Sequence, residues 1–317
     1  MRILLICPSF YDYHKQIVNE LQRQGHEVTF FAERPTRLIY SFAKKLPQNL
    51  TNFIFDKFQQ KILSIYKNHT FDLVLVIRGE IIAPWLINSM RGLQPSCRFV
   101  LYQWDSLKVV DFEKLIPLFD QTETFDSVDA KSLGISYFPL FFVPGYRSDK
   151  QISIKTSDLT FVGSYHETRY LKLKKVHRYC EEHGISFEYF LYISIFDFIK
   201  LHIMRKKVPS FSEVSFKKLD QTKIVKRYLG ASAVLDIENE RQSGLTIRTF
   251  EVLATNRYLV TTNQMSPVLL PELSSRIVHI DIDNLSFSKD DFRADLLDDD
   301  QLDRYALSSW ISHLVGM

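Results

Sequence analysis

Two charged residues, Arg248 and Glu251, lie inside an apolar helical pattern in the stretch SGLTIRTFEVLATN. At 100° per residue, Gly244, Arg248, Glu251 and Thr255 fall on one face of that helix. A helix start led by glycine attracts anions, and a guanidinium can add a charge-assisted hydrogen bond to a diphosphate. A carboxylate one turn deeper can accept two hydrogen bonds from a ribose diol. The alternative is an Arg248–Glu251 pair on a solvated face, worth only about 0.2–0.5 kcal/mol. Such a pair does not need a glycine-led start, so we favour a nucleotide ligand.

The segment before this helix supplies further polar groups. Glu240 follows the apolar strand pattern AVLDI, and Ser243 and Gly244 lead into the helix. Backbone N–H groups at the start of a helix are natural anion ligands. We therefore expect this segment to border the same ligand.

A second strand-to-helix junction occurs in FVGSYHETRY. The strand ends in Gly163 and Ser164, whose N–H groups and hydroxyl could cradle a phosphate, and His166 and Arg169 could add positive charge. A plain capped helix start is an equal alternative for this stretch.

Two carboxylates follow apolar strands in the first half of the chain. Glu80 ends VIRGE beside Arg78, and Asp105 ends YQWD. Glu80 emerges where a cleft is expected, and Asp105 could be a general base that takes a proton from an acceptor hydroxyl, with its basicity raised by desolvation beside Trp104. A surface ion pair for Glu80 and a helix cap for Asp105 are equal alternatives.

Other motifs exclude function classes. The first strand-to-helix junction, CPSFYDYH, lacks the GxGxxG of dinucleotide binding, which argues against a nicotinamide or flavin enzyme. The DID sequence from Asp281 to Asp283 matches the DxD motif that binds metal in some transferases, but its two aspartates flank one apolar residue, as at a strand edge. We therefore expect no metal site.

The elements that must position these residues alternate between strand and helix. Strands rich in Val, Ile, Leu and Phe, separated by helical patterns, predict parallel sheets covered on both faces. The pattern restarts after a polar segment at Pro144–Thr156, and 317 residues suit two domains better than one. We predict an α/β protein with domains at 1–150 and 151–300, and a C-terminal helix in 301–317 that could cross back to the first domain.

Composition bounds the remaining possibilities. With 45% hydrophobic and 24% charged residues the chain is globular, and a net charge of +3 argues against a dedicated nucleic-acid binder. Three widely spaced cysteines without a CxxC pair fit a reducing, cytoplasmic setting. The first apolar run is too short for a signal peptide, and no run of about 18 apolar residues is present.

Two basic segments rich in apolar residues, 34–61 and 194–207, could lie on an anionic membrane surface. The alternative for both is a solvated helix packed on its own core.

The chain resembles the GT-B glycosyltransferases, and among them the CgeB-like bacterial transferases of capsule and lipopolysaccharide biosynthesis. The matching pieces are VIRGE, YQWDS, FPLFF, FVGSYHETRY and, as the most specific, SGLTIRTFEVLATNRYLVTTN. The resemblance implies two Rossmann-like domains facing across a cleft, the first binding a glycan or lipid-linked acceptor and the second a nucleotide-sugar donor.

The resemblance also implies roles for single residues. Glu251 would hold the ribose, and Arg248 would neutralise the departing diphosphate in place of a metal. The remaining donor contacts would come from Gly163, Ser164, His166, Arg169, Lys217, Glu240, Ser243, Gly244, Leu245 and Thr246. The nucleotide base would contact the backbone near Phe216–Leu219.

The resemblance implies a nucleotide-sugar-dependent glycosyltransferase, hexosyl or related, of the cytoplasm or the inner face of the membrane. The first junction lacks the glycine-rich loop of many retaining members, which favours an inverting reaction with Asp105, or else Glu80, as the base. Two other functions remain open. An epimerase would form product from the donor alone, and a non-catalytic sugar-nucleotide-binding module would not need Asp105.

Overall fold

The computed structural model describes residues 1–9, 12–148, 155–204, 209–238, 243–292 and 299–316. The chain forms two compact units. The first comprises Met1–Leu140, Arg241–Gly244 and Leu307–Met317, and the second comprises Phe141–Glu240 and Leu245–Ala306.

The first unit contains a six-stranded parallel sheet. Its strands are β1 (Arg2–Cys7), β2 (Glu27–Ala32), β3 (Leu73–Ile77), β4 (Arg98–Gln103), β5 (Gln121–Thr124) and β6 (Ser136–Tyr137). The helices between them are α1 (Tyr13–Arg23), α2 (Arg37–Ala43), α3 (Gln48–Lys67), α4 (Pro84–Leu93) and α5 (Ser127–Leu133). The strand order is β2-β1-β3-β4-β5-β6.

Burial explains why these segments form a central sheet. All five residues of β3 and the last five of β1 are buried, as strands covered by helices on both faces must be. The segment 34–68, read from sequence as helical throughout, is two helices, with Pro47 capping the start of α3. Proline fits there because its missing N–H would have no partner inside the helix.

The second unit contains a five-stranded parallel sheet. Its strands are β7 (Ser157–Ser164), β8 (Phe187–Tyr192), β9 (Ala231–Asp236), β10 (Tyr258–Thr261) and β11 (Ile277–His279). Its helices are α6 (Glu167–Glu182), α7 (Ile195–Ile203), α8 (Gln221–Leu229), α9 (Ile247–Ala254), α10 (Ser266–Leu269) and α11 (Asp299–Asp303). The strand order is β11-β10-β9-β7-β8.

The strand orders locate the edge of each sheet at which a ligand is expected. Ligands of open parallel sheets bind beyond the carboxyl ends of the strands, where the strand order reverses. That point lies between β1 and β3 in the first unit and between β7 and β9 in the second. The residues singled out from sequence follow β3, β4, β7 and β9.

The second unit begins at Phe141, ahead of the boundary predicted at Pro144–Thr156. The run FPLFF, read from sequence as part of a strand, supplies the reason. Phe141 and Phe142 are buried, and Phe142 forms a β-bridge with Ala306, which belongs to the same unit.

The end of the chain is not a single helix, as 301–317 was predicted to be. It forms α11 and then α12 (Leu307–Val315), because Ala306 between them takes part in the bridge to Phe142. Helix α12 belongs to the first unit, where fully buried Trp310 packs edge-on against Tyr102 with ring centroids 4.8 Å apart. Across the described parts of the chain, every helix is too short or too polar to cross a bilayer.

Candidate functional site

The second unit gathers most of the predicted donor residues around β7, β9 and the start of α9. Gly163 and Ser164 end β7, Asp236 ends β9, and Thr246 is the N-cap residue of α9. A Cβ on Gly163 would come within 2.6 Å of the Phe161 ring, so glycine is required here for packing. These elements form the carboxyl edge of the sheet at its reversal point.

Arg248 is anchored at this edge by a buried carboxylate. Its Nη1 lies 2.8 Å from Asp236 Oδ1, and its guanidinium carbon lies 5.6 Å from the centre of the Phe161 ring. The Thr246 hydroxyl donates a 3.1 Å hydrogen bond to the other oxygen of Asp236. Burial acts to lower the pKa of Arg248, but Asp236 raises it above its ordinary value. Arg248 is therefore a fixed cation.

Arg169 lies near Arg248 and is less well paired. Its Nη1 donates a 3.2 Å hydrogen bond to the carbonyl of Ser164, and its buried Nε has no hydrogen-bond partner among the described residues. Burial and the charge of Arg248 lower the pKa of Arg169, while Asp236 partly offsets them. Two neighbouring guanidiniums, of which only Arg248 is bound to a carboxylate, favour the binding of an added anion.

Glu251 lies one turn deeper in α9 and is buried. Together with burial, it raises the pKa of the Tyr146 hydroxyl, to which it is hydrogen-bonded. The helix itself spans Ile247–Ala254, so Gly244 and Thr255, expected on the same helical face, lie outside it.

Ser243 and Gly244 contact a carboxylate of the first unit, to which both belong. Their N–H groups donate to Asp126 Oδ2 at 3.0 and 3.1 Å, and the Ser243 hydroxyl donates to Oδ1 at 2.7 Å. The groups predicted to bind a diphosphate thus already bind an anionic side chain. A diphosphate at Ser243 and Gly244 must displace Asp126.

The remaining predicted donor residues differ in placement. Leu245 is buried, so its backbone alone could reach a ligand. His166 is the exposed N-cap residue of α6, with Nδ1 3.0 Å from the Thr168 hydroxyl. Lys217 is exposed in the segment that pairs with the end of β8 through Ser215. Glu240 lies outside the described residues.

The first unit brings both candidate bases to one arginine. Arg78 Nη2 lies 2.7 Å from Glu80 Oε2, and Arg78 Nε lies 2.8 Å from Asp105 Oδ2. The Asp105 side chain is 24% exposed and that of Glu80 only 14%, so Asp105 is the more accessible carboxylate.

Glu80 is held by several donors at once. Lys44 Nζ lies 2.8 Å from Oε1, Arg34 Nη1 lies 3.3 Å from Oε2, and the Tyr40 hydroxyl also donates to Oε1. Burial acts to raise the pKa of Glu80, but Lys44, Tyr40 and Arg78 together lower it below its ordinary value. Glu80 is therefore a poor proton acceptor.

Sequence reasoning missed two carboxylates at these edges. Asp236 pairs with Arg248, and Glu33, directly after β2, is fully buried beside Arg78. Asp236 ends one strand and Glu33 directly follows another, which is close to the signal that identified Glu80 and Asp105.

Within the described residues, no three His, Cys, Asp or Glu side chains converge as metal ligands. The two aspartates of the DID motif lie in a turn after β11. Asp281 accepts the N–H of Asp283, and Asp283 pairs with Lys175 at 2.6 Å.

A scan against protein-family models and a search of curated proteins found no match. Solved structures do match over the whole chain. The apo form of the lipopolysaccharide outer core galactosyltransferase WaaB is 13% identical with a TM-score of 0.57, and coverage is 100% of this chain and 99% of that one. Acinetobacter baumannii MurG is 11% identical with a TM-score of 0.55, and the match covers 100% of this chain and 99% of MurG.

A UDP-forming α,α-trehalose-phosphate synthase from Burkholderia vietnamiensis is 10% identical, with a TM-score of 0.65 and coverage of 100% and 98%. Identities this low establish the fold alone. The chain has the GT-B fold, as the resemblance in sequence implied, with two Rossmann-like units built on parallel sheets.

Proposed function

We propose that this protein is a glycosyltransferase that uses a nucleotide-sugar donor. The observation that carries this proposal is the Arg169–Arg248 pair at the carboxyl edge of the second sheet, where Asp236 is the carboxylate bound to Arg248. A diphosphate between the two guanidiniums would relieve their repulsion. Full-length matches to glycosyltransferases support the proposal.

The donor site of the proposal is built on β7, β9 and α9. Arg169 and Arg248 bind the diphosphate and neutralise the negative charge that it carries as it leaves. No metal is therefore required for its departure. Glu251 accepts hydrogen bonds from the ribose. The trehalose-phosphate synthase is described as UDP-forming, which makes UDP the first nucleotide to test.

Asp105 is the proposed base. It is the more accessible of the two carboxylates on Arg78, and it follows the carboxyl end of β4. By taking the proton of an acceptor hydroxyl it would allow in-line displacement of the diphosphate with inversion at the anomeric carbon. Asp105→Asn should abolish transfer while leaving donor binding intact.

The acceptor class of the proposal is a glycan or lipid-linked oligosaccharide of a bacterial surface polysaccharide. The support is the resemblance of VIRGE, YQWDS and SGLTIRTFEVLATN to the CgeB-like transferases, together with the match to a lipopolysaccharide transferase. The sugar is hexosyl or related.

The proposal includes contact with an anionic membrane on the cytoplasmic side. On α2, Leu38 is 84% exposed and Phe42 is 62% exposed, and exposed basic residues Arg37 and Lys45 lie on and beside the same helix. Apolar side chains flanked by lysine and arginine favour anionic lipid surfaces. Phe42→Ser should reduce flotation with vesicles containing phosphatidylglycerol, and equal flotation of both proteins would contradict the contact.

Donor turnover tests the proposed activity. Purified protein is incubated with UDP-, GDP-, dTDP- and CMP-sugars, and nucleotide release is measured with and without glycan acceptors. We expect slow hydrolysis of one donor class and faster release with an acceptor. Product formed from the donor alone without nucleotide release would identify an epimerase, and binding without any turnover would identify a non-catalytic module.

Glu251→Ala tests the ribose site. The variant should fold but lose most of its affinity for the donor, because the ribose hydroxyls would no longer have the Glu251 carboxylate as a hydrogen-bond acceptor. Unchanged donor affinity in Glu251→Ala would remove Glu251 from the proposed site.

A further inference from the structure

The turn after β3 has a backbone conformation that needs support. Arg78 has φ of 76° and Gly79 has φ of 71°, so two consecutive residues occupy the left-handed region. A side chain such as that of arginine is strained there, and such conformations persist only where neighbouring groups hold them. They occur preferentially at functional sites.

Two fully buried side chains, one at the end of β4 and one directly after β2, hold this turn. Gln103, the last residue of β4, donates its side-chain amide to the carbonyl of Arg78. Glu33, directly after β2, accepts the N–H of Glu80 with its Oε1. The peptide groups on both sides of Gly79 are therefore fixed from the interior.

Glu33 also acts on the Arg78 guanidinium. Its Oε2 lies 3.7 Å from Arg78 Nη1 and has no hydrogen-bond partner among the described residues. Arg78 thus faces three carboxylates, with Glu80 and Asp105 in direct contact and Glu33 at a longer distance. The position of Arg78 depends on the charge of all three.

We propose that Glu33 is a positioning residue of this edge, which fixes the Arg78–Glu80 turn and thereby the orientation of Asp105 toward the acceptor. The inference deepens the proposed function and rests on it. Glu33 is fully buried, so it acts through Arg78 and the Glu80 peptide rather than on the substrate.

The charge of Glu33 changes near neutral pH. Burial raises its pKa to about 7, against the opposing effects of Arg78 and the Glu80 N–H. The other groups acting on it are the Glu80 carboxylate and Arg34, and Cys7 at the end of β1 is close enough for Glu33 to raise the pKa of that thiol. The ionised form of Glu33 attracts Arg78 and accepts the Glu80 N–H more strongly, so the turn is best ordered above pH 7.

The first test is the pH profile of transfer in the full chain. Wild-type kcat should fall roughly tenfold for each pH unit below about 7, while the donor KM stays constant. Glu33→Gln should show a low kcat that is flat from pH 6 to 8. The control Glu27→Gln, an exposed residue at the other end of β2, should keep the wild-type profile. An unchanged pH profile in Glu33→Gln would overturn the proposal.

Amide hydrogen exchange at Glu80 tests the inference without activity. In wild type, protection of this amide should be greater at pH 8 than at pH 6 after correction for intrinsic exchange, and in Glu33→Gln it should be equal at both. The same pH dependence in both proteins would refute positioning by Glu33. If no donor is turned over at all, the proposed function fails, while the exchange result still decides the role of Glu33.

Discussion

Replacing Glu33 by glutamine should change how the stability of the first unit depends on pH. The folded-state pKa of Glu33 is about 7, above its ordinary value of 4.5, because burial penalises the charged form. Below pH 4.5 both the folded and unfolded states hold the proton. Between 4.5 and 7 only the folded state keeps it, so the stabilising contribution of Glu33 is lost as pH rises and levels off above 7.

The magnitude follows from the two pKa values. A difference of roughly 2.5 units at about 1.36 kcal/mol per unit gives a loss of about 3 kcal/mol between pH 4 and pH 8. The side chain is fully buried, so solvent screening does not reduce this figure. Glu33→Gln cannot titrate. Between pH 4 and pH 8, the free energy of unfolding of the variant should therefore rise by about 3 kcal/mol relative to that of wild type.

The tryptophans allow this change to be assigned to one unit. All three, Trp85, Trp104 and Trp310, belong to the first unit. Urea unfolding followed by tryptophan fluorescence at pH 4, 5, 6, 7 and 8 would give the free energy of unfolding of that unit in wild type, Glu33→Gln and the control Glu27→Gln. Parallel curves for wild type and Glu33→Gln would refute the reasoning, since they would mean that Glu33 does not titrate differently in the folded state.

Two further substitutions test the packing around the candidate donor site. Gly244→Ala should cost the first unit about 1–3 kcal/mol of stability, because its Cβ would lie 2.5 Å from the ring and 2.8 Å from the carbonyl oxygen of Phe125. The control is Gly92→Ala in α4, whose Cβ would have nothing within 4 Å, so it should leave stability unchanged or raise it by up to about 1 kcal/mol. Equal effects of the two substitutions in fluorescence-detected unfolding would contradict the close packing of Gly244 against Phe125. Asp236→Asn should destabilise the second unit by about 3 kcal/mol, because it leaves Arg248 without its carboxylate. Unfolding followed by far-UV circular dichroism would detect this loss of stability. A loss of less than about 1 kcal/mol would show that Asp236 and Arg248 are not paired as in the structure.

The sequence predicted the fold well because the strands are near-continuous apolar runs such as LVLVI in β3, which are typical of a parallel sheet covered on both faces. It placed Glu80, Asp105 and Gly163 at the ends of strands for the same reason, since they stand where such runs end. It could not predict partners that are far apart in the chain. Asp126 binds Ser243 across 117 positions, and no local pattern encodes that contact.

The helix in SGLTIRTFEVLATN shows where local patterns fail. Helical periodicity placed Arg248 and Glu251 on one face, and both do lie in α9. Their partners come from elsewhere in the second unit. Arg248 pairs with Asp236 at the end of β9, and Glu251 contacts Tyr146. Periodicity fixes which residues share a helix face, but tertiary packing decides what that face contacts.

Calorimetric titration of nucleotides into wild type, Arg169→Met and the control Arg178→Met tests the central claim most directly. Arg178 is an exposed residue of the same helix, α6. We predict that one of UDP, GDP or dTDP binds wild type and Arg178→Met with equal affinity at one site. Arg169→Met should bind it roughly 10- to 100-fold more weakly, because a charge-assisted hydrogen bond is worth about 1.5–3 kcal/mol. The proposed donor site is contradicted if no nucleoside diphosphate binds wild type, or if Arg169→Met binds it as tightly as the control does.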